Sequence, residues 1–204
     1  MKIFEKKIDE AKILIWDLKE SIDVLKNELV EFNEAEFIKI ASDKRKREFL
    51  GVRLALKALI GKNVHIRYDD AGKPFLSDNC FKISISHSKN WIAVMTHPTR
   101  SVGIDIECPT CKIQRIYKRF MSPIEQRELS NGENINQLQL AWSVKETLYK
   151  IIGNEAVDFS NQLRIFPFKV KSEGEIMAQH IPSKKLYQLH YTQNPDYTLV
   201  YCLE

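Results

Sequence analysis

Hydrophobic positions in the first half of the chain predict a strand followed by an amphipathic helix. The run KILIWDL near the N-terminus is short, apolar and rich in branched residues, which is typical of a strand. After Ser42, apolar residues recur at intervals of three and four until Gly61 interrupts the pattern. These apolar positions are Phe49, Val52, Leu56, Leu59 and Ile60. The spacing predicts a helix between Ser42 and Gly61 with a basic outer side.

Strand patterns follow this helix. VHIRYDDAGKPFLSD predicts a strand that runs into a Gly-Lys-Pro turn, and FKISISHSKNWIAVMTHP predicts a hairpin with Lys89 and Asn90 near its tip. SVGIDIE, from Ser101 to Glu107, predicts a further strand. The last segment, KLYQLHYTQNPDYTLVYCL, predicts a strand, a polar turn and a closing strand.

A second long helix repeats the features of the first. We predict it from about Asn136 to Ile152, with Gly153 at its end. Each half of the chain then has the order helix, glycine, strands and closing hairpin, which indicates an internal duplication. We therefore predict an N-terminal α+β subdomain over residues 1–100 and a C-terminal α+β subdomain over residues 101–204.

Composition is that of a globular protein. The chain has 204 residues, of which 44% are hydrophobic, and this is enough to bury a core. No apolar run approaches the roughly 18 residues that a membrane span needs. The N-terminal MKIFEKKIDEAK is charged where a secretory signal would be apolar. We expect a cytoplasmic protein that folds alone and does not bind a membrane.

The cysteines do not indicate a disulfide scaffold. There are four, which are too few and too scattered, so we expect reduced thiols. Cys108-Pro-Thr-Cys111 has the spacing of half a zinc site or of a redox pair, but no second Cys/His pair has zinc-like spacing. We therefore favour a plain loop at these positions.

Positive charge gathers on the first long helix. The formal net charge is +4, and the excess lies in the run KRKR at 44–47, followed by Arg53 and Lys57. Such a face suits a polyanion or a phosphorylated small molecule. Charge alone favours a solvated helix surface.

Three carboxylates form a candidate cation site. Asp105 and Glu107 occupy alternate positions of a strand, so both project from one face with Cα atoms roughly 6 to 7 Å apart. Glu146 lies in the second long helix, on the same side as Trp142 and Lys150. Two carboxylates at that distance can bind one hard cation. Each pattern taken alone is more often a solvated strand face or a surface ion pair.

Two further motifs carry polar groups at the ends of elements. In ISISHS, a strand ends with Ser86 and His87, and their hydroxyl, imidazole and backbone N–H groups suit a phosphate. A turn histidine with an ordinary structural role is the alternative. Ser122-Pro123-Ile124-Glu125 has the pattern of a capping box, so we predict a helix that begins at about Pro123.

Several of these motifs follow one another in a characteristic order. They are GKP, ISHS with a tryptophan four residues after the histidine, GIDIE, RFMSPIE, and WSVKETLYK followed closely by a glycine. This order, which extends from about Lys44 to Gly153, resembles the 4′-phosphopantetheinyl transferase superfamily, in particular its surfactin-synthetase-activating type. The resemblance implies two similar α+β halves related by a pseudo-twofold axis, with coenzyme A in the cleft between them.

The resemblance also implies an activity. Members of that family transfer the phosphopantetheine arm of coenzyme A to a serine of an acyl, peptidyl or aryl carrier protein and release adenosine 3′,5′-bisphosphate, in a reaction that depends on Mg²⁺. Carried onto this sequence, Asp105, Glu107 and Glu146 match the magnesium ligands. Glu146 also matches the proposed general base, with Glu125 as the second candidate. Lys150 matches a lysine that contacts phosphate and stabilises the leaving group.

Contacts to coenzyme A are implied for residues of both halves. Lys145 is either a support or a phosphate contact, and Lys73 of GKP matches a basic residue near the nucleotide. Among Lys44, Arg47 and Arg53, one or two bind the 3′-phosphate, and the sequence leaves the choice open. The implied coenzyme A contacts are Lys44, Arg47, Arg53, Lys73, Ser86, His87, Lys145 and Lys150.

Two other classes of protein fit part of the same pattern. A metal-dependent nuclease or phosphodiesterase would also combine strand carboxylates, a helical Glu and Lys, and a basic face. The W-x-x-K-E pattern and the separate S-H element argue against that class. A non-catalytic module that binds coenzyme A is the second alternative. We expect a monomer that binds no nucleic acid, and the sequence leaves the choice of carrier protein open.

Overall fold

The architecture was analysed in a computed structural model, which describes residues 2–29, 31–153 and 157–204. The chain divides into two compact units, Met1–Ser101 and Val102–Glu204. Each unit combines helices with an antiparallel sheet. This mixture confirms the predicted α+β class, while the pseudo-twofold relation stays a prediction.

In the part of the N-terminal unit that the structure describes, six strands form the sheets. They are β1 (Lys2–Ile8), β2 (Ala11–Asp17), β3 (Ile66–Tyr68), β4 (Pro74–Leu76), β5 (Lys82–Ser88) and β6 (Trp91–His97). Four of them pair antiparallel in the order β1-β2-β6-β5, and β3 pairs with β4 in a separate hairpin. The turn between β5 and β6 contains Lys89 with a φ of 53°, which confirms the predicted hairpin and its tip.

Strand β1 was not predicted, because most of its residues are charged. Glu5, Lys6 and Lys7 are exposed on this edge strand, where charged side chains discourage pairing with another chain. The backbone of β1 pairs in register with the apolar β2, with Phe4 opposite Ile15. Pairing with β2 therefore stabilises β1 as a strand, although the sequence of β1 alone does not predict one.

Three helices complete the N-terminal unit. They are α1 (Ile22–Glu28), α2 (Glu34–Ile38) and α3 (Asp43–Ile60). Helix α3 has the predicted ends, because Ser42 Oγ accepts the Arg45 N–H at 3.2 Å and Gly61 adopts a left-handed φ of 84°. The helix packs against β2 and β6. The core between them includes Leu14, Trp16, Leu50, Leu56 and Val94.

The described residues of the C-terminal unit, 102–153 and 157–204, form five strands and three helices. The strands are β7 (Val102–Glu107), β8 (Leu163–Ile165), β9 (Glu173–His180), β10 (Lys185–Gln193) and β11 (Thr198–Leu203). They form one antiparallel sheet in the order β7-β11-β10-β9-β8. The helices are α4 (Ile113–Phe120), α5 (Pro123–Glu128) and α6 (Ile135–Ile152). Along the described ranges, no helix is both long and apolar enough to cross a membrane.

Helix α6 packs closely against β7 and β11, and Gly103 makes this approach possible. A Cβ at position 103 would lie 2.6 Å from the Thr147 carbonyl oxygen and 2.6 Å from Ile151 Cγ1. Since alternate residues of a strand share a face, Asp105 lies on the same side of β7 as Gly103, towards α6. The opposite face carries Ile104 and Ile106, both fully buried.

We predict that Gly103→Ala lowers the free energy of unfolding by about 1–3 kcal/mol, because the added methyl group meets helix backbone that cannot move aside. Gly51→Ala in α3 is the matched control, since its nearest atoms, 2.8 Å away, are the terminal methyl groups of Ile92 and Leu18, which can rotate aside. Urea denaturation measures both values. Equal losses for the two variants would contradict the close approach at Gly103.

Candidate functional site

Asp105 and Lys150 form a partly buried ion pair between β7 and α6. The Lys150 ammonium donates to Asp105 Oδ1 at 2.9 Å and to the Ile104 carbonyl oxygen at 2.9 Å. The Asp105 side chain is 4% exposed and that of Lys150 is 23% exposed. Lys150 therefore reaches the strand carboxylate while part of its side chain still faces solvent.

Glu146 lies one turn before Lys150 on α6 and is partly buried. Burial raises its pKa to about 7, and repulsion from Asp105 and Glu107 adds to the rise, while the Lys150 charge opposes it. The structure thus brings four of the predicted site residues close enough to influence one another electrostatically. They are Asp105, Glu107, Glu146 and Lys150.

Within the described part of the chain, no three His, Cys, Asp or Glu side chains lie in positions to hold a metal ion. The magnesium ligands therefore stay a prediction. All four cysteines are free thiols, and Cys108 is buried whereas Cys111 is exposed in the loop after β7.

Glu107 contacts the indole of Trp142. The Trp142 Nε1–H donates to Glu107 Oε1 at 3.3 Å. The indole lies edge-on to the ring of Phe120, with centroids 5.1 Å apart, and 5.8 Å from the ring of Phe159. A row of aromatic rings therefore adjoins one carboxylate of the cluster.

Lys145 and Glu125 form a second ion pair, with both side chains 0% exposed. The Lys145 ammonium has four acceptors within hydrogen-bonding distance, each inside the C-terminal unit. They are Glu125 Oε2 at 2.7 Å and the carbonyl oxygens of Phe120 at 2.6 Å, Phe159 at 2.7 Å and Leu163 at 3.0 Å. Burial lowers the pKa of Lys145, and the Glu125 charge opposes this shift. The buried ammonium is held by these internal acceptors. It does not contact the group of Asp105, Glu107, Glu146 and Lys150, which we call the Asp105 cluster.

Glu125 also completes the predicted capping box. Its Oε2 accepts the Ser122 N–H at 2.7 Å, while Ser122 Oγ accepts the Glu125 N–H at 3.2 Å. Its Oε1 accepts the Ile165 N–H at 2.7 Å. The carboxylate therefore joins α5, α6 and β8.

In the N-terminal unit, basic residues of α3 gather with His87 around the buried carboxylate of Glu48. Glu48 Oε2 lies 3.1 Å from Arg45 Nη1, and Oε1 lies 3.6 Å from Lys44 Nζ and 3.6 Å from His87 Nδ1. Arg45 Nη1 also lies 3.2 Å from His87 Nε2. Arg45 and Glu48 were not predicted as site residues. Their spacing of three along a helix could have indicated the pair.

Ser86 and His87 do not share one face of the sheet. They are consecutive residues of β5, so their side chains point to opposite sides. Ser86 is buried, whereas the His87 side chain is 34% exposed. The two side chains therefore do not form a hydroxyl–imidazole pair on a single surface.

Arg53 is held within the core of the N-terminal unit. Its guanidinium donates to the Phe49 carbonyl oxygen at 3.0 Å, pairs with Glu36 at 3.3 Å and stacks over the Phe49 ring. Burial lowers its pKa, and the Glu36 charge opposes this. Its partners are thus Glu36 and Phe49, whereas Glu48 pairs with Lys44, Arg45 and His87.

The two remaining predicted residues lie in partly exposed positions. Lys73 follows the Gly72 turn between β3 and β4, and burial lowers its pKa, with the Asp69 charge opposing the shift. Arg47 lies in the first turns of α3 and is partly exposed.

Two family models together match most of the chain. Residues 101–202 match the model of the 4′-phosphopantetheinyl transferase superfamily. Residues 33–97 match the model of the 4′-phosphopantetheinyl transferase N-terminal domain. The Asp105 cluster lies within the first match and the Glu48 cluster within the second.

The names of curated relatives agree with the family models. A putative 4′-phosphopantetheinyl transferase of Haemophilus influenzae is 27% identical over 128 residues, which cover 60% of this chain and 52% of that protein. The 4′-phosphopantetheinyl transferase HetI of Nostoc is 29% identical over 125 residues, covering 53% of each chain. A 4′-phosphopantetheinyl transferase of Bacillus subtilis is 31% identical over 139 residues, covering 64% of this chain and 59% of that protein. The chain thus spans little more than half the length of these relatives.

The raised pKa of Glu146 predicts a pH-dependent loss of stability. The folded protein holds a proton at Glu146 up to a pKa of about 7, whereas the unfolded chain releases it near the ordinary value of 4.5. The contribution of this group to stability is therefore greatest below pH 4.5 and is lost as pH rises through 7. We expect Glu146→Gln to be more stable than the wild type at pH 8, by on the order of 2–3 kcal/mol, and close to it at pH 4.5.

Urea denaturation in metal-free buffer at the two pH values tests this. The exposed Glu133→Gln is the control and should show no such difference between pH values. An equal gain in the free energy of unfolding for Glu146→Gln at both pH values would show that ionisation of Glu146 does not cause the loss of stability.

Proposed function

Since the chain belongs to the 4′-phosphopantetheinyl transferase superfamily, we propose that it transfers the phosphopantetheine arm of coenzyme A to a serine of an acyl, peptidyl or aryl carrier protein. The second product is adenosine 3′,5′-bisphosphate. The observation that carries the proposal is the cluster of Asp105, Glu107, Glu146 and Lys150 within the matched residues 101–202.

The donor atoms of the cluster suit a hard divalent cation, although in the described residues its three carboxylates do not already lie in positions to hold one. Three carboxylates lie near one lysine ammonium, and the excess of negative charge contributes to the raised pKa of Glu146. Oxygen ligands are those that Mg²⁺ prefers, usually carboxylates together with water and substrate phosphates. We propose that Asp105, Glu107 and Glu146 hold Mg²⁺. The bound ion would supply charge neutralisation at the coenzyme A pyrophosphate.

Glu146 is the proposed general base for the carrier serine. Its partly buried carboxylate has a pKa of about 7, which suits proton transfer near neutral pH. A neighbouring cation would lower that pKa and make the group a weaker base. Glu125 is the alternative, but its carboxylate is fully buried and already accepts two backbone N–H groups and the Lys145 ammonium. These contacts support a structural role for Glu125.

The two lysines of the W-x-x-K-E-x-x-x-K pattern have different proposed roles. Lys150 is partly exposed beside Asp105, so its ammonium can stabilise negative charge on the leaving bisphosphate. Lys145 is fully buried among internal acceptors, which supports a structural role rather than a phosphate contact. Lys150 is thus the proposed catalytic lysine.

We assign coenzyme A contacts in the N-terminal unit to exposed basic groups. Lys44 and His87 lie around Glu48, and Arg47 and Lys73 are also accessible. Of the three candidates for the 3′-phosphate, Lys44 is favoured, because it shares Glu48 Oε1 with His87, the other proposed phosphate contact, whereas Arg53 already has partners in the core. Ser86 is buried, and its phosphate contact rests on the family pattern alone.

The family assignment favours this activity over a nuclease or phosphodiesterase. It does not separate an active transferase from a module that binds coenzyme A without catalysis. Transfer to a carrier by the wild type distinguishes these two, and loss of that transfer in variants of the cluster shows that the acids are required.

We predict that the protein with coenzyme A and Mg²⁺ adds the mass of one phosphopantetheine arm to at least one member of a panel of apo-carrier proteins. Asp105→Ala and Glu146→Ala should abolish this gain, because each removes a proposed magnesium ligand. Mass spectrometry of the carrier measures the transfer, with Glu133→Ala as the control at an exposed acid. No modified carrier in the whole panel, or unchanged turnover by both cluster variants, would refute the proposal.

Lys44→Ala is expected to raise the KM for coenzyme A about tenfold, because one charge-assisted contact to the 3′-phosphate is lost. The KM for dephospho-coenzyme A, which lacks this phosphate, should not change. Lys57→Ala on the same helix is the control. Arg53→Met should instead lower the melting temperature without a selective effect on coenzyme A. An equal rise in both KM values for Lys44→Ala would refute its assignment.

A further inference from the structure

Trp142 belongs to the W-x-x-K-E pattern but has no part in the reaction proposed above. Its indole is partly buried, and its Nε1–H donates to Glu107 Oε1 at 3.3 Å. An indole N–H is only a donor, so it cannot coordinate a cation. Any effect of Trp142 on a metal must act through the carboxylate that it contacts.

We propose that Trp142 is a positioning residue that orients the Glu107 carboxylate towards the divalent cation. The proposal rests on the proposed function, since it takes Glu107 as a magnesium ligand. Glu107 is the last residue of β7 and is partly exposed, whereas Asp105 is buried beside Lys150. A partly exposed glutamate has several accessible rotamers, and a donor held at one oxygen selects among them.

The indole itself is held between two rings. Phe120 meets it edge-on at 5.1 Å, with an interplanar angle of 69°, and Phe159 lies at 5.8 Å with an angle of 48°. Contacts of this kind restrict the rotation of the indole. The N–H therefore points to Glu107 from a ring that is packed on two sides.

Lys145 connects the backbones of the same two phenylalanines. Its ammonium donates to the Phe120 carbonyl oxygen at 2.6 Å and to the Phe159 carbonyl oxygen at 2.7 Å. These residues precede α5 and β8 respectively, so one buried ammonium holds both walls of the indole site. The buried lysine thereby supports the tryptophan, which in turn orients the strand carboxylate.

Trp142 and Glu146 of the W-x-x-K-E pattern then both act on the proposed magnesium site. Glu146 contributes its own carboxylate, and Trp142, one turn earlier on α6, orients the carboxylate of the neighbouring strand. Loss of a partner that orients a metal ligand typically costs about 10–100-fold in metal affinity. The effect on Mg²⁺ binding should therefore be large enough to measure without any turnover.

The test uses Trp142→Phe, which keeps an aromatic ring and removes the N–H. Mg²⁺ alone is titrated into the full chain, and the melting temperature is followed. The variant is expected to need about tenfold more Mg²⁺ than the wild type for the half-maximal shift. Trp16→Phe makes the same substitution in the core of the N-terminal unit, away from Glu107, and it should retain the wild-type midpoint.

Two results would overturn the role of Trp142. One is an unchanged midpoint in Trp142→Phe, and the other is an equal change in Trp16→Phe, which would assign the effect to the loss of any buried indole rather than to the contact with Glu107. If the wild type modifies a carrier and either result is found in the variants, only the role of Trp142 is refuted. A wild type with neither a response to Mg²⁺ nor any transfer refutes the proposed function as well.

If Trp142→Phe does not fold, the wild type labelled with 5-fluorotryptophan answers the same question. The chain has three tryptophans, and the ¹⁹F signal that persists in both Trp16→Phe and Trp91→Phe belongs to Trp142. Addition of Mg²⁺ is expected to shift this signal, because the indole N–H contacts a proposed ligand. A signal that does not move at saturating Mg²⁺ overturns the proposal.

Discussion

The close packing of α6 on β7 at Gly103 is the constraint on which the C-terminal unit depends. Because position 103 has no side chain, the strand lies directly against the helix backbone near Thr147 and Ile151. Two residues further along the same face, Asp105 reaches the Lys150 ammonium. Glu146, on the same helix, is partly buried, and this burial is the main cause of its raised pKa.

Burial also separates the roles of two lysines that lie five residues apart on one helix. An ammonium group has three N–H donors, and that of Lys145 has four acceptors within reach inside the unit. It therefore has no donor to offer a ligand. Lys150 is partly exposed, so its charge can act on a bound anion. Two lysines of one sequence pattern thus serve packing and chemistry respectively.

Local features of the fold could be predicted well from the sequence. The ends of α3 follow from Ser42 and Gly61, and the capping box at Ser122 and Glu125 depends only on residues three positions apart. Strand β1 could not be predicted, because its pairing with β2 stabilises a segment that is mostly charged. The alternation of side chains along a strand puts Ser86 and His87 of the ISHS motif on opposite faces, so the prediction of one shared phosphate contact contradicts the strand pattern itself.

The sequence by itself determined the helix ends, the common face of Asp105 and Glu107 and, through the order of its motifs, the family. These depend on neighbours in the chain or on the pattern of residue types. Only the tertiary structure decided that Lys145 and Glu125 neutralise each other in the core, that Arg45 and Glu48 surround His87, and that Trp142 contacts Glu107. Each of these contacts depends on burial and on partners distant in sequence. The periodicity of a single helix or strand predicts neither the burial of one side chain nor its partner in another element.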